Sequence, residues 1–393
     1  MSDGLIHRRH RLSVLVCGTV AADVGQGGVS WSVLQYVLGL RRLGHDVCLV
    51  EPIAATKIEP IGSPLAGSTA AAYFRKVVEE FGIADKSALL LAKSHETVGA
   101  SFEELRQFCK RADLLINING MLTDPALLGS MPVRVYLDLD PAFVQLWQVE
   151  QGIDMRLDGH THFASVGLNI GTPQCSVPTC GVEWIKTLQP VVLEEWPYCE
   201  QEPMDALTTV GNWRGYGSIH VNGIQYGQKA HSLRPLIELP GRTRETFVLA
   251  MRIDPAETKD IEALKVHGWK LVSPDDVAGS PSSYRNFIQN SKGEFGIAKS
   301  GYVNSRCGWF SDRSAAYLAS GRPVIAQDTG FSGHLPTGKG LMVFANADDV
   351  AAAVDSLRKE YSLHQSAARQ IAVEYFDSEK VLARLLNRLG VTP

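Results

Sequence analysis

Two glycine-bearing stretches hold the residues best suited to a phosphorylated ligand. The first, residues 21–30, reads AADVGQGGVS and joins an apolar run to an amphipathic one. If a helix opens at its end, the unpaired N–H groups and partial positive charge of that terminus attract an anion. Gly27 and Gly28 would let a phosphate approach the backbone closely, and Asp23 is the carboxylate best placed there to act as a base. The second stretch, residues 296–314, carries Lys299, Arg306 and Arg313 around a polar loop. Ser311 stands where a helix N-cap belongs, and three cations around such a terminus suit a diphosphate. Asp312 offers a carboxylate to ribose hydroxyls.

Smaller patterns carry weaker signals. Asp328 and Thr329 follow an apolar run and could bond sugar hydroxyls, although Asp and Gly also build plain turns. Asp138-Leu139-Asp140 is a D-x-D triplet of the kind that holds a metal-bound nucleotide. Asp140 before Pro141 is also an ordinary helix start, so no metal is assigned, and Asp140 ranks second to Asp23 as a base. His160 and His162 share one face of an extended segment, but nothing nearby completes a ligand set, so they read as ordinary polar histidines. The run from Trp213 to Gly217, with Tyr226 to Lys229, reads equally as a cleft wall or as packing. Gly25-x-Gly27-x-x-Ser30, with Glu51 ending the next apolar run, approaches a dinucleotide fingerprint. Its third glycine is missing and it starts too far beyond the strand, so a nicotinamide-dependent oxidoreductase is the alternative rather than the main reading.

These residues need elements to hold them, and the chain supplies an alternation. Apolar runs at 12–17, 46–50, 89–91, 114–116 and 133–137 read as strands, separated by helices over 29–43, 70–81 and 102–111. Prolines blur residues 152–203. The alternation then restarts, with strands at 247–250, 270–272, 295–298, 323–326 and 341–344 and helices over 257–267, 282–289 and 312–320. Helices over 347–359, 362–375 and 378–389 end the chain. The pattern predicts α/β architecture with parallel sheets covered on both faces. The expected limits are a first Rossmann-like domain at 1–198, a second at 199–374, and a terminal helix at 375–393 packed on the first.

Composition narrows the function classes. The chain has 393 residues, 38 Lys and Arg against 42 Asp and Glu, and 45% apolar residues, which suits two globular domains and excludes a disordered chain. The near-neutral balance lacks the basic footprint of a duplex-binding protein, so no duplex nucleic acid is expected as a partner. The basic run 7–11 reads as a solvated tail. No apolar run approaches a membrane span, and seven scattered cysteines suggest a reduced, cytoplasmic protein.

The segment Tyr317-Leu318-Ala319-Ser320-Gly321-Arg322-Pro323-Val324-Ile325 resembles the EALACGxPVI helix–turn–strand of the group 1 glycosyltransferases of the GT-B fold. Gly27-Gly28-Val29 and Leu43-Gly44-His45-Asp46-Val47 resemble their GGV…LxxxGHEV block, and Gly340-Leu341-Met342-Val343-Phe344 their GLLV strand. The clear likeness covers about residues 12–50 and 290–390. It implies two facing Rossmann-like domains, the acceptor mainly on the first, the nucleotide-sugar mainly on the second, and a last helix crossing back. The family's paired glutamates would fall at Gly308 and Ala316, and neither is acidic. The implied activity is transfer of a sugar from a nucleotide-diphosphate sugar to an acceptor, with that donor as co-substrate and no cofactor or metal. The donor set is Gly27, Gly28, Lys299, Gly308, Ser311, Asp312, Arg313, Ser314, Asp328 and Thr329. A non-catalytic sugar-nucleotide binder on the same fold is a further alternative.

Overall fold

The computed structural model describes residues 11–200 and 204–391, so the basic run is seen only at Arg11. The first sheet is built from β1 (Ser13–Cys17), β2 (Asp46–Ile53), β3 (Ser87–Leu91), β4 (Thr97–Gly99), β5 (Leu114–Ile118), β6 (Val133–Asp138), β7 (His162–Ser165) and β8 (Trp184–Lys186). The order is β4-β3-β2-β1-β5-β6-β7-β8, parallel except for the β3/β4 edge pair. Val14, Leu15, Val16 and Cys17 of β1 are fully buried. A parallel strand covered on both faces requires such an uninterrupted apolar run.

The second half contains β9 (Met204–Asn212), a hairpin of β10 (Ile219–Val221) and β11 (Ile224–Tyr226), then β12 (Phe247–Arg252), β13 (Lys270–Leu271), β14 (Ser291–Gly296), β15 (Val324–Gln327) and β16 (Leu341–Phe344). Its parallel sheet has the order β13-β12-β9-β14-β15-β16. Central β9 was not among the expected strands. Its middle is Thr208-Thr209, both buried, and Thr208 Oγ1 donates to Ser291 Oγ at 2.6 Å. Thr208 is satisfied only by tertiary contact and Thr209 Oγ1 is buried without a partner, and such polar residues hide a core strand from a hydrophobicity pattern. Likewise β14 lies earlier than the expected 295–298, and Lys299 is the N-cap residue of a short helix, Ser300–Ser305.

The two halves meet along the carboxyl ends of both sheets. The helix Gly27–Arg42 after β1 approaches the helix Pro281–Gln289, and Trp31 Nε1 donates to the Pro281 carbonyl at 2.9 Å. A Cβ at Gly27 would lie 2.1 Å from the Ser280 carbonyl oxygen, so close helix approach itself explains this glycine. The final helix, Ser378–Arg388, returns to pack on Gly27–Arg42, where a Cβ at Gly39 would lie 2.6 Å from Leu382 Cδ1. Among the described residues no helix is long and apolar enough to cross a membrane.

Candidate active site

A cavity of about 390 Å³ lies between the two sheets. The first half contributes the start of the helix Gly27–Arg42, including Gly28 and Tyr36, and the ends of β5 and β6, including Asn119 and Asp140. The second half contributes Gly211, Lys229, Arg252, Lys299, Ser311, Asp312 and Arg313. Both contributions sit where parallel strands end, the usual ligand position in such sheets.

Lys229 did not feature in the expected donor set, yet it is the most informative cation here. It has no hydrogen-bond or ion-pair partner among the described residues, and its Nζ would lie 3.2 Å from a Cβ at Gly211. Burial, reinforced by the positive charges of Arg313 and Lys299, pushes its amine down to about 7. A half-buried amine that faces a cavity with no ion-pair partner, and only the more distant charges of Asp140 and Asp312 to oppose its neighbouring cations, marks a place for an anion. It ends the Tyr226 to Lys229 stretch that the sequence left open between cleft wall and packing, and the structure puts it on the wall.

The expected cations are engaged differently. Arg313 Nε donates to Glu294 at 2.5 Å and its Nη1 to the Val210 carbonyl at 2.8 Å, so its charge is already balanced in the interior. Lys299 reaches across the cleft to both Asp140 oxygens at 3.1 Å. It also donates to Tyr216 and Tyr302, and its Nζ stands 4.3 Å from the Tyr216 ring centroid and 5.1 Å from that of Phe143. Arg252 pairs with Asp275.

Asp140 accepts from Tyr216 at 2.6 Å and from Tyr302 as well as from Lys299. Its lone pairs are committed, and its geometry is that of a tie between the halves more than of a free base. Asp23, the first choice of base, is ion-paired with Lys57 at 2.8 Å, half-exposed and outside the cavity wall. It lies too far out on the loop because the turn at 18–22 is drawn inward: Glu51 is buried and accepts from the Ala21 and Ala22 amides at 2.8 and 2.7 Å. Those bonds spend Glu51 on the loop and leave the nicotinamide reading without its ribose acid.

Ser311 and Asp312 do line the cavity at the start of the helix Asp312–Ala319. Ser311 occupies the N-cap position but makes no side-chain cap bond, so the first turn's amides are left open. Among the described residues the Asp312 carboxylate accepts a single long hydrogen bond, from Ser311 Oγ at 3.4 Å. Nearby, Tyr36 Oη and Gln189 Oε1 are buried without partners, and both residues belong to the cavity wall. Gly28 is on the wall and would press a Cβ to 2.9 Å from Tyr284 Cε2.

Four other expected donor residues, and Gly27, lie off the wall. Ser314 is buried inside the helix. Thr329 Oγ1 donates to the Trp309 carbonyl at 2.5 Å, and Asp328 accepts from Gly330 and Ser332 at 2.9 Å each, which is turn-building work. Gly308 has φ +77°, and a Cβ there would lie 2.9 Å from the Asn169 amide nitrogen. The loop after β7 therefore fills the space that an acidic side chain at 308 would need. Asn169 holds that loop down through its Nδ2, which donates to the Arg306 carbonyl at 2.9 Å.

The remaining motifs make structural contacts, apart from Tyr216 and Lys229, which stand at the cleft. Asn117 and His160 bond at 3.0 Å, Cys175 and Cys180 are free thiols, and Trp213 Nε1 donates to Asp260 at 2.8 Å. Among the described residues no cluster of three or more His, Cys, Asp or Glu is arranged to hold a metal ion.

Comparison with solved structures finds the same architecture. The chain is similar to an alpha-glucosyltransferase in complex with UDP-glucose and DNA containing an abasic site, at TM-score 0.61 and 12% identity over 97% of this chain and 100% of that one. It is similar to HepE from Anabaena in complex with UDP-glucose, at TM-score 0.58 and 12% identity over 97% and 100%. It is also similar to AviGT4, a glycosyltransferase involved in avilamycin A biosynthesis, at TM-score 0.50 and 13% identity over 96% and 97%. No family model and no curated protein matches the sequence. Two facing parallel α/β sheets with a returning last helix, over the full length of these neighbours, define a GT-B fold.

Proposed function

We propose that this chain is a glycosyltransferase that moves a sugar from a nucleotide-diphosphate sugar to an acceptor hydroxyl without a metal ion. The observation that carries this reading is Lys229, a half-buried amine with no hydrogen-bond or ion-pair partner among the described residues, beside an uncapped helix start in the cleft between the two sheets. A diphosphate supplies the missing negative charge. As the sugar–phosphate bond breaks, charge grows on the leaving diphosphate, and Lys229 with the open amides stabilises it where water is excluded. Arg313, although balanced by Glu294, adds its field from the same wall. Asp312 is assigned to ribose hydroxyls. The cleft brings donor and acceptor together and supplies proximity. The UDP and UDP-glucose in the complexes of similar fold support a uridine diphosphate donor.

Titration calorimetry with UDP, GDP and ADP tests the donor site. UDP is expected to bind, and the absence of binding by any of the three would sink the assignment. Release of UDP from UDP-glucose, followed with and without a chelator, separates an enzyme from a binding protein. The rate is expected to survive chelation, and a chelator-dependent rate would refute the metal-free mechanism.

A further inference from the structure

The cavity wall is divided by charge. Its cations, Lys229, Arg252, Lys299 and Arg313, all come from the second half. Among the described residues the first half contributes no Lys or Arg to that wall, and its one carboxylate is Asp140. The ends of β5 and β6 instead present Ile118, Met121 and Leu139, with Asn119 and Thr19 beside them. Asn119 Oδ1 accepts from the Leu139 amide at 3.1 Å, which fixes the side chain and leaves its amide N–H groups to donate. Thr19 Oγ1 touches Met121 Sδ at 3.0 Å.

We propose, resting on the donor reading above, that the acceptor is an uncharged hydroxyl compound with an apolar face, of the class of alkyl or aryl glycosides. A diphosphate is drawn to the cationic half, so the acceptor occupies what remains, at the ends of β1, β5 and β6. There an apolar body is sheltered by Ile118, Met121 and Leu139, while Thr19 and Asn119 address its hydroxyls. A polyanion gains nothing from this wall, because binding of nucleic acid draws its strength from Lys and Arg contacts to phosphates. In this the wall is unsuited to the DNA present in a complex of similar fold.

The test uses the full chain with UDP-glucose and measures UDP release with three probes: p-nitrophenyl glucoside, glucose 6-phosphate and a duplex oligonucleotide bearing hydroxymethylpyrimidine. The aryl glucoside is expected to accelerate release at least about tenfold over water, consistent with a positioned acceptor. Its KM is expected to be indifferent to added salt. Met121→Lys should raise that KM at least about tenfold while leaving the UDP dissociation constant unchanged. Acceleration by the duplex or the sugar phosphate in preference to the aryl glucoside overturns the proposal. So does failure of the aryl glucoside to bind UDP-loaded protein at millimolar concentration. UDP calorimetry on the same sample keeps the cases apart: if UDP binds, failure belongs to the acceptor class, and if it does not, the donor reading itself has failed.

Discussion

At the scale of single residues, Lys229 governs what the site does with protons. Its amine is pushed down to about 7 by burial and by two neighbouring cations, so at pH 8 most of it is neutral in the free protein. A bound diphosphate favours the charged form and raises that value. UDP binding at pH 8 is therefore expected to take up a proton, seen as a binding heat that varies with the ionisation enthalpy of the buffer. The affinity should weaken as the pH rises above 7. Lys229→Met should lose the proton uptake and about one to two decades of affinity, corresponding to ~1.5–3 kcal/mol for a charge-assisted bond. A variant with wild-type affinity and proton uptake would place the diphosphate elsewhere. Arg313 behaves differently because its partner Glu294 is fully buried. Arg313→Ala strands that carboxylate and is expected to cost ~3–5 kcal/mol of stability in a urea titration. An unchanged unfolding midpoint would mean that Glu294 had found another partner.

At the scale of elements, the Gly-rich turn divides into two adjacent roles. Gly27 touches the Ser280 carbonyl across the halves, whereas Gly28 faces the ring edge of Tyr284 on the cavity wall. A methyl group at 27 meets backbone, which cannot rotate away, so Gly27→Ala should lower stability by about 1–3 kcal/mol. At 28 the ring can shift. Gly28→Ala should stay folded, with a modest drop in melting temperature, and lose about tenfold in transfer rate. If both variants melt alike and transfer alike, the division is wrong. Glu51, at the end of β2, sets the pH response of the same turn. Burial raises it from 4.5 to about 7 in the folded chain. The unfolded chain gives up this proton first as the pH rises. Its contribution to stability is thus full below about 4.5 and declines up to about 7. Glu51→Gln should flatten that part of a stability–pH curve, and a curve of unchanged slope would point to another group, such as buried Asp138, which is raised to about 6.

At the scale of the whole molecule, ties between the halves hold the cleft, among them Lys299 to Asp140, Asn169 to the 306–308 backbone, and Gln189 Nε2 to the Phe310 carbonyl at 2.5 Å. Lys299 is surrounded by Phe143, Tyr216 and Tyr302, so its tie combines an ion pair with aromatic faces. Lys299→Met removes the charge and leaves Asp140 to two tyrosines. The expected result is a larger radius of gyration by small-angle scattering, with UDP restoring compaction. An unchanged radius would show that the remaining ties suffice.

Much of the architecture was legible because it rests on local chemistry. Buried parallel strands must be apolar, helices between them must be amphipathic, and glycines and prolines must punctuate both, so the alternation, the helix opening near Gly27 and the 312–320 helix all stood out. Ser311 and Asp312 were legible as cleft residues for the same reason, since a strand–loop–helix unit puts its helix start at the carboxyl end of the sheet. What tertiary structure alone decided was pairing. Thr208, in the middle of a central strand, found its hydroxyl partner in Ser291 of the neighbouring strand, and Lys299 spent its charge on an aspartate 159 positions away. Gly308 was left without an acidic side chain's room by the loop at Asn169. Among the described residues Lys229 was left without an ion-pair partner because the other positive groups of the wall found carboxylates. A sequence states which charges a chain carries; which of them remain unpaired depends on distances that exist only once both halves have folded against each other.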